Sequence, residues 1–263
     1  ESSDGEVMND ITTGSGDDTI TTGDYADTID AGNGDNTIVA GDGDNDITTG
    51  RGDDTITVGD GDNDIDAGIG DDTVTAGGTT TSTAVFDTNT VDLGNGDDTY
   101  TGGAGVDVVT LGAGDDTVDT GAGIDSILMS DFDDDDVVDG GAGNDTFTVG
   151  GILTAAGAVG VTGGAGNDTV EVTADITAGD FSFAGGDGDD VIYGQEGVDK
   201  LYGGLGNDII SGGTGNDYLD GNRGNDTYIF NKGGGHDTIY DTGIADGNDQ
   251  IVFGDGLSKE NVI

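Results

Sequence analysis

A nine-residue unit, G-G-x-G-x-D-x-U-x with U a large apolar residue, recurs along this chain and constrains its fold more than any other feature. Residues 203–229, GGLGNDIISGGTGNDYLDGNRGNDTYI, are three consecutive copies. Seven copies run without a slip over 13–75, from TGSGDDTIT to AGIGDDTVT, and four more fill 93–128. Single copies lie at 140–148 and 163–171, five at 185–229, and KGGGHDTIY closes the series at 232–240. Of these 19 copies, 16 carry Asp at position 6 and three carry Asn (Asn36, Asn45, Asn63).

The unit predicts its own local structure. Position 8 is Ile, Val, Leu, Phe or Tyr, while positions 7 and 9 are mostly Thr, Asp, Tyr or Ser. That is a short strand with one side chain inward and two outward. The six Gly- and Asp-rich residues before it form a turn, in which glycine permits positive φ and close backbone approach. Turn carbonyls then face a common centre, and the position-6 Asp adds an anionic oxygen. Oxygen donors without thiol and almost without imidazole select a hard cation, and six or more flexible oxygens favour Ca²⁺ over Mg²⁺.

Composition says why a cation is needed. The 263 residues include 56 Gly and 56 Asp or Glu against five Lys or Arg, for a net charge of −51. Self-repulsion and glycine entropy both oppose a compact state, so the bare chain is predicted not to fold. The sign of the charge excludes nucleic acid and disfavours anionic membrane surfaces. No apolar run reaches the roughly 20 residues of a membrane span. Starting without Met and showing no signal peptide, the sequence is expected to be a piece of a longer chain. The absence of Cys rules out a disulfide framework.

The copies divide the chain into a lead-in (1–12), a first repeat block (13–75), an insertion with a degenerate rung (76–92), a second block (93–148), a stretch of insertions around one unit (149–184), a third block (185–240) and a capping segment (241–263). Degenerate copies bridge the blocks. Residues 84–92 end in NTVD; 131–139 keep Asp136 and Val138; 154–162 keep Val161; 176–184 keep Phe183. One continuous solenoid is expected, with protruding loops at 76–83 and 149–153.

The motif resembles the RTX, or haemolysin-type calcium-binding, nonapeptide family, over most of the chain. The resemblance implies an all-β fold: a right-handed parallel β-roll with two nonapeptides per coil, so that units i and i+2 stack. It also implies Ca²⁺ between stacked turns, held by position-6 side chains and turn carbonyls. Carried over, the ligands are Asp18, Asp27, Asn36, Asn45, Asp54, Asn63, Asp72, Asp98, Asp107, Asp116, Asp125, Asp145, Asp168, Asp190, Asp199, Asp208, Asp217, Asp226 and Asp237. The carbonyls include those of Gly94, Gly96, Gly112, Gly114, Gly186, Gly188, Gly204, Gly206, Gly213 and Gly215. Asp190, Asp208 and Asp226 would share one side, with Asp199 and Asp217 on the other; Asp98 would stack on Asp116 and Asp107 on Asp125. Two fewer sites than units in each block gives about ten Ca²⁺, which would cancel about 20 charges. The first block departs from the pattern, with Thr, Ala or Val at position 1 and Asp at position 5 in all but one copy. Residues 225–262 resemble the segment that caps RTX arrays, with 250–253 a candidate strand.

Catalysis is not expected within these residues. His236, the single His, occupies a variable turn position, and no G-x-S-x-G, H-E-x-x-H or Cys nucleophile is present. The tripeptide Arg51-Gly52-Asp53 falls at positions 3 to 5 of a repeat and reads as turn. The resemblance implies a chain unfolded in a Ca²⁺-poor cytosol, exported by a bacterial type I system and folded outside, with self-association or a cell-surface polysaccharide as further partners. An S-layer or adhesin role is favoured over the secretion and folding module of a toxin, protease or lipase. A third expectation is ice binding, from the outward pairs Thr19/Thr21, Thr37/Val39, Thr55/Thr57 and Thr73/Thr75.

Overall fold

The computed structural model describes residues 8–77, 87–129, 136–150, 160–173, 181–241, 243, 247–254 and 257. The described residues contain strands and turns and no helix. Of the expected loops, 78–83 and 151–153 lie outside them, as does most of the capping segment, while Ala76 and Val149 are buried and Val149 ends a strand. The chain forms two compact units, Glu1–Ser126 and Ile127–Ile263.

Each unit is a parallel β-solenoid. In the N-terminal unit, strands from alternate nonapeptides pair in register. Thr19–Thr21, Thr37–Val39, Thr55–Thr57, Thr73–Thr75, Thr99–Thr101 and Thr117–Asp119 follow one another in one sheet. Asp10–Ser15, Thr28–Asn33, Asp46–Thr49, Asp64–Asp66, Thr88–Asn95 and Val106–Ala113 form the opposite one. The C-terminal unit repeats the plan. Val137–Asp139, Gly160–Ala165, Ser182–Asp187, Lys200–Leu205, Tyr218–Arg223 and Thr238–Ile239 face a second sheet. That second sheet runs from Thr146–Val149 through Thr169–Val172, Val191–Tyr193, Ile209–Ser211 and Thr227–Phe230 to Gln250–Phe253.

The inward position-8 side chains stack into two apolar columns per unit. Ile20, Ile38, Ile56, Val74, Tyr100 and Val118 make one, and Ile29, Ile47, Ile65, Val91 and Val109 the other; all are buried. In the C-terminal unit the columns widen, and Phe147 meets Phe183 edge-on at 5.5 Å. Buried Tyr228 turns its hydroxyl to accept the Gly221 N–H at 2.7 Å.

The N-terminal unit has a second inward position. Position 1 there carries Ala31, Ala40, Val58, Ala67, Leu93 and Leu111, all buried. In the C-terminal unit the copies at 140–148, 163–171 and 185–229 have Gly at position 1, and a Cβ on Gly203, Gly212 or Gly221 would strike Oδ2 of Asp208, Asp217 or Asp226 in the same nonapeptide. The space filled by a methyl or isopropyl group in one unit belongs to a carboxylate oxygen in the other.

Gln250–Phe253 is a further rung rather than a separate closing strand. It pairs in parallel with Thr227–Phe230, and Asp226 N–H donates to Oδ1 of Asp249 at 3.0 Å. GNDQIV at 247–252 fits positions 4 to 9 of another nonapeptide.

Candidate metal centre

Each turn delivers its position-6 side chain to an edge of the solenoid, above the same position two units on. There the backbone N–H of one turn donates to Oδ1 of the next. In the C-terminal unit one such ladder joins Asp145, Asp168, Asp190, Asp208 and Asp226, with distances of 2.8 to 3.0 Å. The opposite edge joins Asp199 to Asp217 at 3.0 Å and Asp217 to Asp237 at 3.1 Å. In the N-terminal unit one ladder runs through Asp18, Asn36, Asp54, Asp72, Asp98 and Asp116. The other edge links Asp27, Asn45, Asn63, Asp107 and Asp125 through Asn89. Asp18 and Asp237 are half-buried; the other position-6 residues named from sequence are buried.

The ladder satisfies Oδ1 and leaves Oδ2. In Asp27, Asp54, Asp72, Asp98, Asp168, Asp190, Asp208 and Asp226 the second oxygen is buried without a hydrogen-bond partner. Burying an unpaired carboxylate oxygen costs several kcal/mol unless a cation or a proton meets it. At Asp72, Asp98, Asp168, Asp190, Asp208 and Asp226 the protein alone raises the proton affinity, first by burial. Burial pushes the Asp208 carboxyl up to about 7, the Asp190 N–H it accepts opposes the rise, and the Asp190 and Asp226 carboxylates reinforce it. Asp72 is likewise pushed up to about 7, and Asp98, Asp190 and Asp217 to about 6, in each case first by burial.

No three acidic or His side chains among the described residues converge on one point. Carboxylates are spaced one per rung, so backbone carbonyls must complete any cation site. The turns are shaped for that. All ten glycines whose carbonyls were named from sequence have positive φ. At Gly204 and Gly206, φ is 123° and 131°, and a Cβ would run into the carbonyl oxygens of Gly186 and Gly188 one coil below. Stacked turns this close leave room for hydrogen alone. Buried unpaired carboxylate oxygens, converging carbonyls and a donor set of oxygen only fit a hard divalent cation.

A second ladder lies on the exposed side of the same turns, with its hydrogen bonds reversed. Position-5 N–H groups donate back to Oδ1 one coil earlier: Asp35 to Asp17, Asp53 to Asp35 and Asp71 to Asp53, each at 3.1 Å. Asp53 of the Arg-Gly-Asp tripeptide is therefore a ladder member. So is His236, whose N–H donates to Asn216 at 2.9 Å.

Sequence reasoning passed over four position-6 residues as candidate ligands. Asn9 and Asn89 join the N-terminal ladders, Asp249 extends the C-terminal one, and Asp136 is buried at its expected position. The signal for Asp249 was in plain sight, since Gly247-Asn248-Asp249 repeats the G-N-D of 143–145 and 206–208.

Such a fold and site define a calcium-binding β-roll class. The family model for the RTX calcium-binding nonapeptide repeat (4 copies) matches residues 12–47, 39–74, 92–127, 132–151, 160–175, 182–210, 193–228 and 202–239. With most of its length matched, the chain belongs to the RTX calcium-binding nonapeptide repeat family. No curated protein matches it as a relative.

Proposed function

We propose that this chain is a non-catalytic, calcium-dependent folding module of a type I-secreted bacterial surface protein, of the S-layer or adhesin kind. The observation that carries the reading is the row of buried, unpartnered Oδ2 atoms at Asp168, Asp190, Asp208 and Asp226. Each would hold Ca²⁺ together with position-2 and position-4 carbonyls such as those of Gly186, Gly188, Gly204 and Gly206. Binding energy becomes folding energy when the metal-free chain is unfolded. In a cytosol poor in Ca²⁺ the chain stays extended for export, and outside it folds at sub-millimolar to millimolar Ca²⁺. The surface role is supported by the share of this sequence given to repeats and by the insertions that interrupt them.

The test is far-UV circular dichroism of the whole chain during Ca²⁺ titration, with Mg²⁺ as control and light scattering recorded alongside. A coil-to-β transition with Ca²⁺ and not with Mg²⁺ is expected, followed by rising scattering if the role is assembly. Full β-structure of the C-terminal unit in chelator would overturn the calcium reading. A folded monomer without assembly would favour the secretion-module alternative.

Ice binding stands as a second reading because the threonine column is longer than the sequence blocks suggest. Thr19, Thr37, Thr55, Thr73, Thr99 and Thr117 face outward in consecutive register. Their strands are spaced about 4.8 Å apart. Thermal hysteresis in Ca²⁺, abolished by Thr55→Lys, is the expected signature; its absence removes this reading.

A further inference from the structure

An amide can do what a carboxylate at position 6 cannot, because its Nδ2 carries two hydrogens. In the N-terminal unit those hydrogens go where a cation would sit. Asn45 Nδ2 donates to the carbonyls of Gly43 at 2.9 Å and Gly41 at 3.2 Å, and to Oδ1 of Asn63 at 2.9 Å. Asn63 Nδ2 donates to Gly61 O at 3.0 Å, Gly59 O at 3.4 Å and Oδ1 of Asn89 at 2.8 Å. Asn89 Nδ2 ends the run on Oδ1 of Asp107 at 2.7 Å. These acceptors are the position-2 and position-4 carbonyls and the position-6 oxygen of the next coil. The carbonyls are the ones that the metal-binding reading assigns to Ca²⁺ elsewhere, and here they are already satisfied.

A second, independent feature marks the same stretch. Its position-1 side chains Ala40 and Val58 are buried and apolar, whereas the C-terminal turns have Gly203, Gly212 and Gly221 there. These turns therefore bury more hydrocarbon and confine fewer unpaired charges. The opposite edge keeps Asp54, Asp72 and Asp98, whose Oδ2 atoms remain unpartnered.

We propose that the Asn45–Asn63–Asn89 edge of the N-terminal unit is closed to calcium, with an amide ladder replacing the cations. The unit then binds fewer ions along that edge, keeps Asp27 at one end of the closed stretch, folds at lower Ca²⁺ than the C-terminal unit and nucleates the roll. The inference rests on the calcium reading above and deepens it. It makes the Asn positions structural substitutes for metal rather than weakened ligands, and it lowers the ion count for this unit.

The experiment uses the whole chain and its Asn45→Asp/Asn63→Asp/Asn89→Asp variant. Hydrogen exchange is followed by mass spectrometry across a Ca²⁺ titration, with bound Ca²⁺ counted by equilibrium dialysis. In the wild type, peptides from 40–110 should become protected at several-fold lower Ca²⁺ than peptides from 185–241. In the variant, protection of 40–110 should shift to higher Ca²⁺ and about three more ions should bind per chain at saturation. Coincident wild-type midpoints, or a variant that binds no additional Ca²⁺, would overturn the proposal while leaving calcium-dependent folding intact. Protection of 185–241 in chelator would instead remove the calcium reading on which it depends.

Discussion

At Asp208 burial, a backbone hydrogen bond and three neighbouring carboxylates meet, and burial dominates. The folded, metal-free turn therefore holds a proton more tightly than the unfolded chain does. A carboxyl whose pKa is raised on folding contributes stability below its unfolded value, near 3.9, and loses it as pH rises through the folded value. For Asp72 and Asp208 that folded value is about 7, and for Asp98, Asp190 and Asp217 about 6. In chelator, β-structure should thus be greater near pH 5 than near pH 7.5, as read by circular dichroism. Ca²⁺ must displace these protons, so its midpoint should fall by about tenfold or more over the same rise in pH. A midpoint independent of pH would show that these carboxylates do not meet the ion. The types of ligand atom were legible in the sequence, because Asp recurs at one fixed position. The role of Asn was not. Whether Nδ2 of Asn63 reaches a cation position depends on Asn89, which stands 26 residues away.

At the scale of the strand and turn, glycine at position 4 serves two needs that can be separated by mutation. Gly16 and Gly34 have nearly equal φ, 125° and 126°. A Cβ on Gly16 would meet nothing within 4 Å, whereas one on Gly34 would lie 2.5 Å from the Gly16 carbonyl oxygen and 2.9 Å from Asp17 N. Gly16→Ala pays for positive φ alone, about 1 kcal/mol, while Gly34→Ala also wedges two coils apart and should cost about 3 kcal/mol or more. Thermal melts of the two Ca²⁺-loaded variants give the comparison, and equal losses would refute the close-stacking argument. The strand pattern was legible because a single inward residue per nonapeptide leaves little ambiguity of period. The rung at 250–253 was missed as a rung because its copy keeps only the glycine at position 4, Gly247, and lacks those at positions 1 and 2. Gln195 and Asn222 show that position 2 can depart from glycine, since both adopt left-handed φ, 69° and 62°.

At the scale of the whole molecule, a net charge of −51 is distributed over turns of two kinds. Some bury carboxylate oxygens that only a proton or cation can satisfy, and others carry their own amides. Composition made the need for counter-charge plain but could not say which turns do without it, since Asp and Asn differ by a single group. The spacing of the ladders carries a further lesson. Successive rungs are 18 residues apart from Asp54 to Asp72, 26 from Asp72 to Asp98, 23 from Asp145 to Asp168 and 22 from Asp168 to Asp190. The hydrogen bond at each step is nevertheless the same. Register is thus held by what each coil touches, not by how many residues lead to it. Doubling the chain between two rungs costs only about 0.6 kcal/mol of closure entropy. Such joints are places where a lineage can lengthen, decorate or exchange sequence while the body of the roll keeps its shape. Losing one residue from within a turn, by contrast, would derail both ladders at once.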